Sequence, residues 1–204
     1  MDVDASLVEV LERSKELGLL GPGDLGTHIA NAQRFAELLN GSRIALDLGS
    51  GGGLPGLVVA MACPDLRLTL LDAGERRVAF LRSAVRDLGV DGRVDVQLGR
   101  AEALARDPEL REQFDAVVAR SFGTPAITAE CAAGFLRLDG KLLVSEPAAS
   151  SDRWPAVELA TVGLEPGPLH RFEDTTIREL RRVEVGMAHV PRRVGVPGRR
   201  PLFT

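Results

Sequence analysis

Residues 43–72 confine this chain to a narrow set of folds. RIALDL (43–48) is a short apolar run that ends in the stretch Asp47-Leu48-Gly49-Ser50-Gly51-Gly52-Gly53. LPGLVVAMAC (54–63) follows as a helix, with Pro55 in its first turn, where a missing N–H does no harm, and Pro64 closing it. LRLTLLD (66–72) is a second apolar run, ending in Asp72. Strand, glycine turn, helix and strand make a βαβ unit, whose two strands lie parallel in one sheet.

The rhythm continues. ERRVAFLRSAVRDLG (75–89) is an amphipathic helix, RVDVQLG (93–99) a strand, and 101–110 a helix. FDAVVAR (114–120) is the fourth strand, a helix spans about 125–136, and GKLLVSE (140–146) is the fifth strand. A helix near 152–162 leads into two late strands within 168–190. Alternation at this spacing predicts a doubly wound, seven-stranded, mostly parallel α/β sheet of Rossmann-like form. Ahead of it, residues 5–20 and 26–39 carry apolar residues at helical spacing. The expected organisation is a helical N-terminal cap (1–41), a ligand-binding domain (42–190) and a basic, extended C-terminal tail (191–204).

Composition excludes several classes. Aromatic residues are only 4%, with no Tyr and one Trp, which argues against a platform that stacks RNA bases. Cys63 and Cys131 lie in apolar surroundings, read as small buried hydrophobes and are too few for a zinc cluster, so no metal is expected. The acidic, amphipathic N-terminus does not resemble a signal peptide, and no apolar run is long enough to span a bilayer. A cytoplasmic monomer with no membrane partner is the expectation.

Chemistry concentrates in the glycine turn. Glycines at alternate positions let the backbone turn sharply and approach a ligand, and the helix start beyond them favours an anion. Asp72 stands 23 residues after Gly49 and can accept hydrogen bonds from two ribose hydroxyls. Residues 51–56 also match the dinucleotide fingerprint G-x-G-x-x-G, but Gly49 is the first glycine after the strand, and x-x-G spacing from it lands on Leu54. The pattern D-x-G-x-G-x-G fits without slippage. Its acid, Asp47, would repel a pyrophosphate but suits an ammonium, which S-adenosylmethionine carries. A dinucleotide, or a glycine turn with no ligand, remain the alternatives.

LDLGSGGGLPG, LTLLDAGERRVAFL, GRAEAL and FDAVVARSF, in that order and spacing, resemble the RsmG (GidB) family of bacterial class I methyltransferases. The tail VPRRVGVPGRRPL resembles that family's ending, so the likeness covers about residues 28–146 and 190–202. It implies methyl transfer from S-adenosylmethionine to N7 of a guanine in small-subunit (16S) ribosomal RNA, with that RNA or the small subunit as partner. It further implies that Gly49 and Leu54 line the methionine and sugar end of the donor, while Asp47, Ser50, Gly51 and Gly53 shape the loop. Asp72 holds the ribose, Ala101 and Glu102 frame the adenine, and Arg120 sits at the mouth. Arg120, Glu146 and His28 form the expected catalytic set.

The chain departs from the family pattern on the substrate side. His-x-x-Asp-Ser is here His28-Ile29-Ala30-Asn31-Ala32, and the Lys-Gly that usually ends the fifth strand is Glu146-Pro147. Two other readings follow, a methyltransferase acting on another substrate and a non-catalytic module that binds the donor or RNA. Trp154 is expected to pack in the core, and Arg76-Arg77 to be solvated. Residues 171–204 carry eight Arg against four acids on an otherwise acidic body, which suits a local phosphate contact or a strap folded onto that body. Methylating N7 needs no general base, because that nitrogen has an in-plane lone pair and no hydrogen.

Overall fold

The computed structural model describes residues 4–147 and 153–203. Seven strands form one sheet in the order β3-β2-β1-β4-β5-β7-β6. The strands are β1 (Ile44–Leu48), β2 (Arg67–Asp72), β3 (Val94–Leu98), β4 (Phe114–Ala119), β5 (Leu136–Glu146), β6 (Leu164–Arg171) and β7 (Thr176–Arg182). The first five run parallel, β7 is antiparallel to β5, and β6 is antiparallel to β7. The chain order reverses beside β1, which opens a crevice at the C-terminal ends of β1 and β4.

Strand alternation divides the core between the two faces of the sheet. Ala45, Leu68, Leu70, Ala116 and Val118 face α1 (Ala5–Glu16), α2 (Leu25–Leu38), α3 (Gly56–Ala62) and α4 (Glu75–Asp87). Leu46, Leu48, Leu71, Val117 and Ala119 face α5 (Ala101–Leu104), α6 (Pro125–Ala133) and α7 (Ala156–Ala160). Each fully buried Leu contributes about 1.5–3 kcal/mol relative to exposure. Asp24 starts α2 by accepting the Thr27 N–H at 2.8 Å. That register sets His28, Asn31 and Phe35 on one helical face, three and four residues apart.

Several boundaries differ from expectation. The helix expected over 101–110 stops at Leu104, and turns carry the chain on to β4. α1 ends at Glu16 before the glycines, α6 ends at Ala133, and Pro55 is the N-cap of α3 rather than a first-turn residue. β5 begins four residues early, at Leu136, because Asp139 takes a positive φ of 63° and lets the chain turn within the strand. α7 covers only Ala156–Ala160; residue 152, at the start of the helix expected there, lies outside the described residues. The tail is not an extended strap throughout, since Val196–Arg199 forms a short helix, α8. Cys131 is buried, Cys63 is only half-buried, and both are free thiols.

Candidate active site

The glycine turn is built around two carboxylates. Asp47 is fully buried, and its Oδ2 accepts the Gly56 N–H at 3.0 Å, tying the end of β1 to the start of α3. A Cβ on Gly56 would sit 2.4 Å from that oxygen, so only glycine lets α3 approach this closely. Burial pushes the Asp47 carboxyl up to about 7, against the Ser50 hydroxyl and the Gly56 N–H, which favour the charged form. Asp72 accepts the Gly51 N–H on one oxygen (2.9 Å) and the Gly74 N–H on the other (2.8 Å). Each carboxylate oxygen retains a second lone pair for a hydroxyl.

Above this frame lies a cavity of about 310 Å³, lined by Gly49, Leu71, Asp72, Arg77, Gly99–Glu102, Ser121–Gly123, Ile127 and Cys131, with Gly198 of the tail. Gly49 has φ +76°, and a Cβ there would meet the Phe122 ring at 2.6 Å. The donor set fits S-adenosylmethionine: a carboxylate with free lone pairs, an apolar slot between Leu71 and Ile127, and a glycine edge that admits close approach. Of the residues expected here, Gly49, Asp72, Ala101 and Glu102 line the cavity. Asp47, Ser50, Gly51, Gly53 and Leu54 do not. They lie beneath or behind the turn: the Ser50 hydroxyl donates to the Asp47 carbonyl, Leu54 joins the core, and a Cβ on Gly53 would strike Leu57. Asp47 Oδ2 meets the backbone amide of α3, and its Oδ1 is buried with no hydrogen-bond partner among the described residues.

Glu102 is also claimed from two sides. Its Oε1 takes the Arg100 guanidinium and the Gly195 N–H, both at 3.1 Å. Burial would raise this carboxyl, but Arg100 and the amides of Glu102 itself and Gly195 outweigh it and hold it below its ordinary value. Burial, helped by the Glu102 and Glu130 carboxylates, pushes the nearby Cys131 thiol up.

Arg120 and His28, 92 residues apart, come together. Arg120 Nη2 lies 2.6 Å from His28 Nδ1, and His28 Nε2 lies 3.1 Å from the Pro22 carbonyl. A guanidinium can only donate, so Nδ1 accepts and the proton sits on Nε2, directed at Pro22. Burial lowers the guanidinium of Arg120, and Asp47 opposes the shift. Glu146 is buried at the end of β5, accepting the Trp154 indole N–H at 2.9 Å, with Arg153 at 3.5 Å. It does not line the donor cavity but borders two neighbouring ones. Trp154 lies just ahead of α7 and packs against the second face of the sheet.

Sequence reasoning missed several contributors. Ser14 of α1 donates to the Gly52 carbonyl at 2.8 Å, so the N-terminal helices brace the glycine turn. Ser121 has a positive φ of 56° and, with Phe122, walls the donor cavity. Arg77 is solvated as expected, its side chain 54% exposed, and it also lies 3.6 Å from Asp72 at the edge of the cavity. Glu130 binds Arg192 of the tail. The FGTP that follows Arg120 was the one local sign, as a turn before a helix. Among the described residues no cluster of three or more His, Cys, Asp or Glu could hold a metal ion, and no helix is long and apolar enough to cross a membrane.

Solved structures share this architecture. An O-methyltransferase from Bacillus cereus in complex with SAH matches 90% of this chain and 93% of its own, with TM-score 0.65 and 17% identity. A methyltransferase from Geobacter sulfurreducens matches 89% and 92%, with TM-score 0.66 and 14% identity. The sequence relatives are nearer. The ribosomal RNA small subunit methyltransferase G of Parasynechococcus marenigrum (strain WH8102) is 34% identical over 174 residues, covering 79% of this chain and 68% of the relative. The protein of that name from Deinococcus radiodurans is 35% identical over 173 residues, covering 81% and 68%. The family model GidB, rRNA small subunit methyltransferase G, matches residues 8–160. This chain belongs to the rRNA small subunit methyltransferase G family.

Proposed function

We propose that this protein transfers a methyl group from S-adenosylmethionine to N7 of a guanine in small-subunit ribosomal RNA, in the bacterial cytoplasm where that RNA is assembled. The observation that carries this reading is the pairing of an intact donor cavity with a site whose histidine is not free to act as a base. Both ring nitrogens of His28 are engaged, one by Arg120 and one by Pro22. An acceptor that must lose a proton would need a free base beside it, and N7 of guanine loses none.

The donor supplies an electrophilic methyl on a positively charged sulfur. The residues of this chain hold and align the partners. Asp72 offers lone pairs to the ribose hydroxyls, Gly49 and Phe122 set the depth of approach, and Leu71 and Ile127 bound the slot for the flat base. His28 is a positioning residue that fixes the Arg120 guanidinium at the mouth. Positive charge moves onto the guanine as the bond forms, and the Glu146 carboxylate next to the mouth favours it there. Rate then comes from alignment and fixed charge.

The test is transfer of labelled methyl from S-adenosylmethionine to small ribosomal subunits that lack the modification, followed by chemical cleavage at 7-methylguanine. Label in the RNA that cleaves at one guanine is the expected result. Label confined to a metabolite extract assayed in parallel would refute it.

A further inference from the structure

The tail attaches to the body in two parts. Residues 187–192 are gripped away from the donor cavity. Arg106 donates to the Pro191 carbonyl, Arg111 to those of Val190 and Met187, and Arg192 pairs with Glu130; none of these residues lines the cavity. Beyond Arg192 the chain turns back on itself. The Val196 N–H donates to the Arg193 carbonyl and the Arg200 N–H to that of Val196, both at 2.9 Å, and Arg199 Nε donates to the Gly195 carbonyl at 3.1 Å. Pro197 is the only buried residue in 193–200, so the turn has little core of its own. It meets the body at the donor cavity. The Gly195 N–H donates to Glu102, which lines the cavity, α8 packs on α6, which supplies Ile127 and Cys131, and Gly198 stands at the edge. Gly198 is exposed there, and a Cβ on it would meet nothing within 4 Å. The turn leans on the space that the donor fills, and a wall facing an empty space lacks the packing contacts that would hold it.

We infer that residues 193–200 form a flap on the donor cavity, whose docking and donor binding reinforce each other, with Glu102 as the residue that couples them. The inference needs the donor and not the acceptor, so it stands apart from the guanine reading above. A carboxylate accepts about four hydrogen bonds. Glu102 gives one oxygen to Arg100 and Gly195 and keeps capacity for an N–H of the donor inside the cavity it lines. A donor N–H accepted there holds the carboxylate where it also receives Gly195. A ligand that touches the docked flap and not the released one shifts the population toward docking, and by linkage docking tightens the ligand by the same factor. Residues 187–192 hold the base of the flap in both states, because their partners lie outside the cavity. Three exposed arginines, Arg193, Arg199 and Arg200, ride on the flap, so donor binding also fixes where they stand.

The test uses S-adenosylhomocysteine, the spent donor, so that no methyl transfer enters the readout. Amide hydrogen exchange of the full chain is followed by NMR with and without it. In the ligand-free chain the amides of Gly195, Val196, Arg199 and Arg200 are expected to exchange about tenfold or more faster than those of Val190 and Arg192, which belong to the gripped part. Saturating S-adenosylhomocysteine should slow the first four about tenfold or more and close most of that gap. A chain that stops after Arg193 keeps the grip of Arg192 on Glu130. It should bind S-adenosylhomocysteine about tenfold or more weakly in calorimetry, with a ligand-free denaturation midpoint near that of the full chain. Wild-type affinity in the shortened chain, or exchange of the four amides unaltered by the ligand, overturns the flap. If the shortened chain does not fold, the exchange comparison on the full chain decides. Neither readout involves RNA, so failure here is distinct from failure of the guanine reading, which the labelled-methyl assay tests.

Discussion

Arg192 grips Glu130 from three positions: its backbone N–H and its Nε both donate to Oε1 at 2.8 Å, and its Nη2 donates to Oε2 at 2.6 Å. The carboxylate is 2% exposed and the guanidinium 29%. The same Nη2 also reaches the Arg200 carbonyl, so one side chain ties the tail to α6 and to itself. Arg106 and Arg111 extend the attachment, donating to the carbonyls of Pro191, Val190 and Met187.

Replacing Arg192 by Ala leaves the Glu130 carboxylate buried without its cation. The expected cost is roughly 3 kcal/mol of folding stability, read as a lower denaturation midpoint. Donor affinity should fall with it, because Gly195 and Gly198 of the same segment reach Glu102 and the donor cavity. A variant with full stability would show that the tail is not a strap.

Arg193, Arg199 and Arg200 are exposed, unlike Arg192. Replacing all three by Ala should leave stability and donor affinity near wild type. The log–log salt slope of RNA binding should flatten by about 0.7–0.9 for each arginine that contacts a phosphate. An unchanged slope would remove the tail from the RNA-binding surface. Arg192 is already occupied by Glu130, which leaves these three as the tail's candidates for phosphate contact.

Asp47 makes stability depend on pH in an uncommon direction. Its carboxyl is pushed up to about 7 in the folded protein, from an ordinary 3.8. The native state thus holds this proton more tightly than the unfolded chain. The contribution is fully present below about pH 4, declines as pH rises, and is lost once pH passes about 7, at about 1.4 kcal/mol per unit between. Asp47→Asn should flatten the fall of stability between pH 5 and 7 in denaturant titrations. An identical profile for the variant would show that another group titrates there.

His28→Ala frees the guanidinium of Arg120 while leaving the donor cavity untouched. RNA methylation should drop about tenfold or more in kcat/KM, with donor affinity unchanged. His28→Gln, which can still offer an acceptor, should recover part of the loss. Equal activity of all three proteins would argue against a positioning role.

The parallel part of the sheet was legible because the expected runs of β1 to β5 are short, apolar and end at a glycine, an acid or an arginine; β6, LEPGPLHR, is no such run and starts at Leu164, ahead of the expected 168–190. Asp72 could be placed by counting from the glycine turn. What was not legible depends on contacts between segments distant in sequence. Nothing local to Ser14 announces that its hydroxyl meets Gly52, and nothing near Glu130 announces Arg192. For Asp47 the motif shows only that an acid ends the strand. Which face it takes is set by alternation: Ala45 and Asp47 share the α3 side, and Leu46 and Leu48 the other. Residues 101–110 carry enough Ala and Leu to suggest a full helix, yet the tail packs against the segment. Arg106 and Arg111 both turn to its carbonyls.

Gly198 forms part of the wall of the donor cavity, and every other lining residue precedes it by at least 67 positions. Chains emerge from the ribosome amino end first. While a copy of this protein is being made, its sheet can assemble around β1 to β5 long before the cavity has its last wall. A nascent chain would therefore hold the donor with an open side until translation passes residue 198. Folding of the body and competence to bind become separate events in time, the second waiting on the arrival of a short arginine-rich segment.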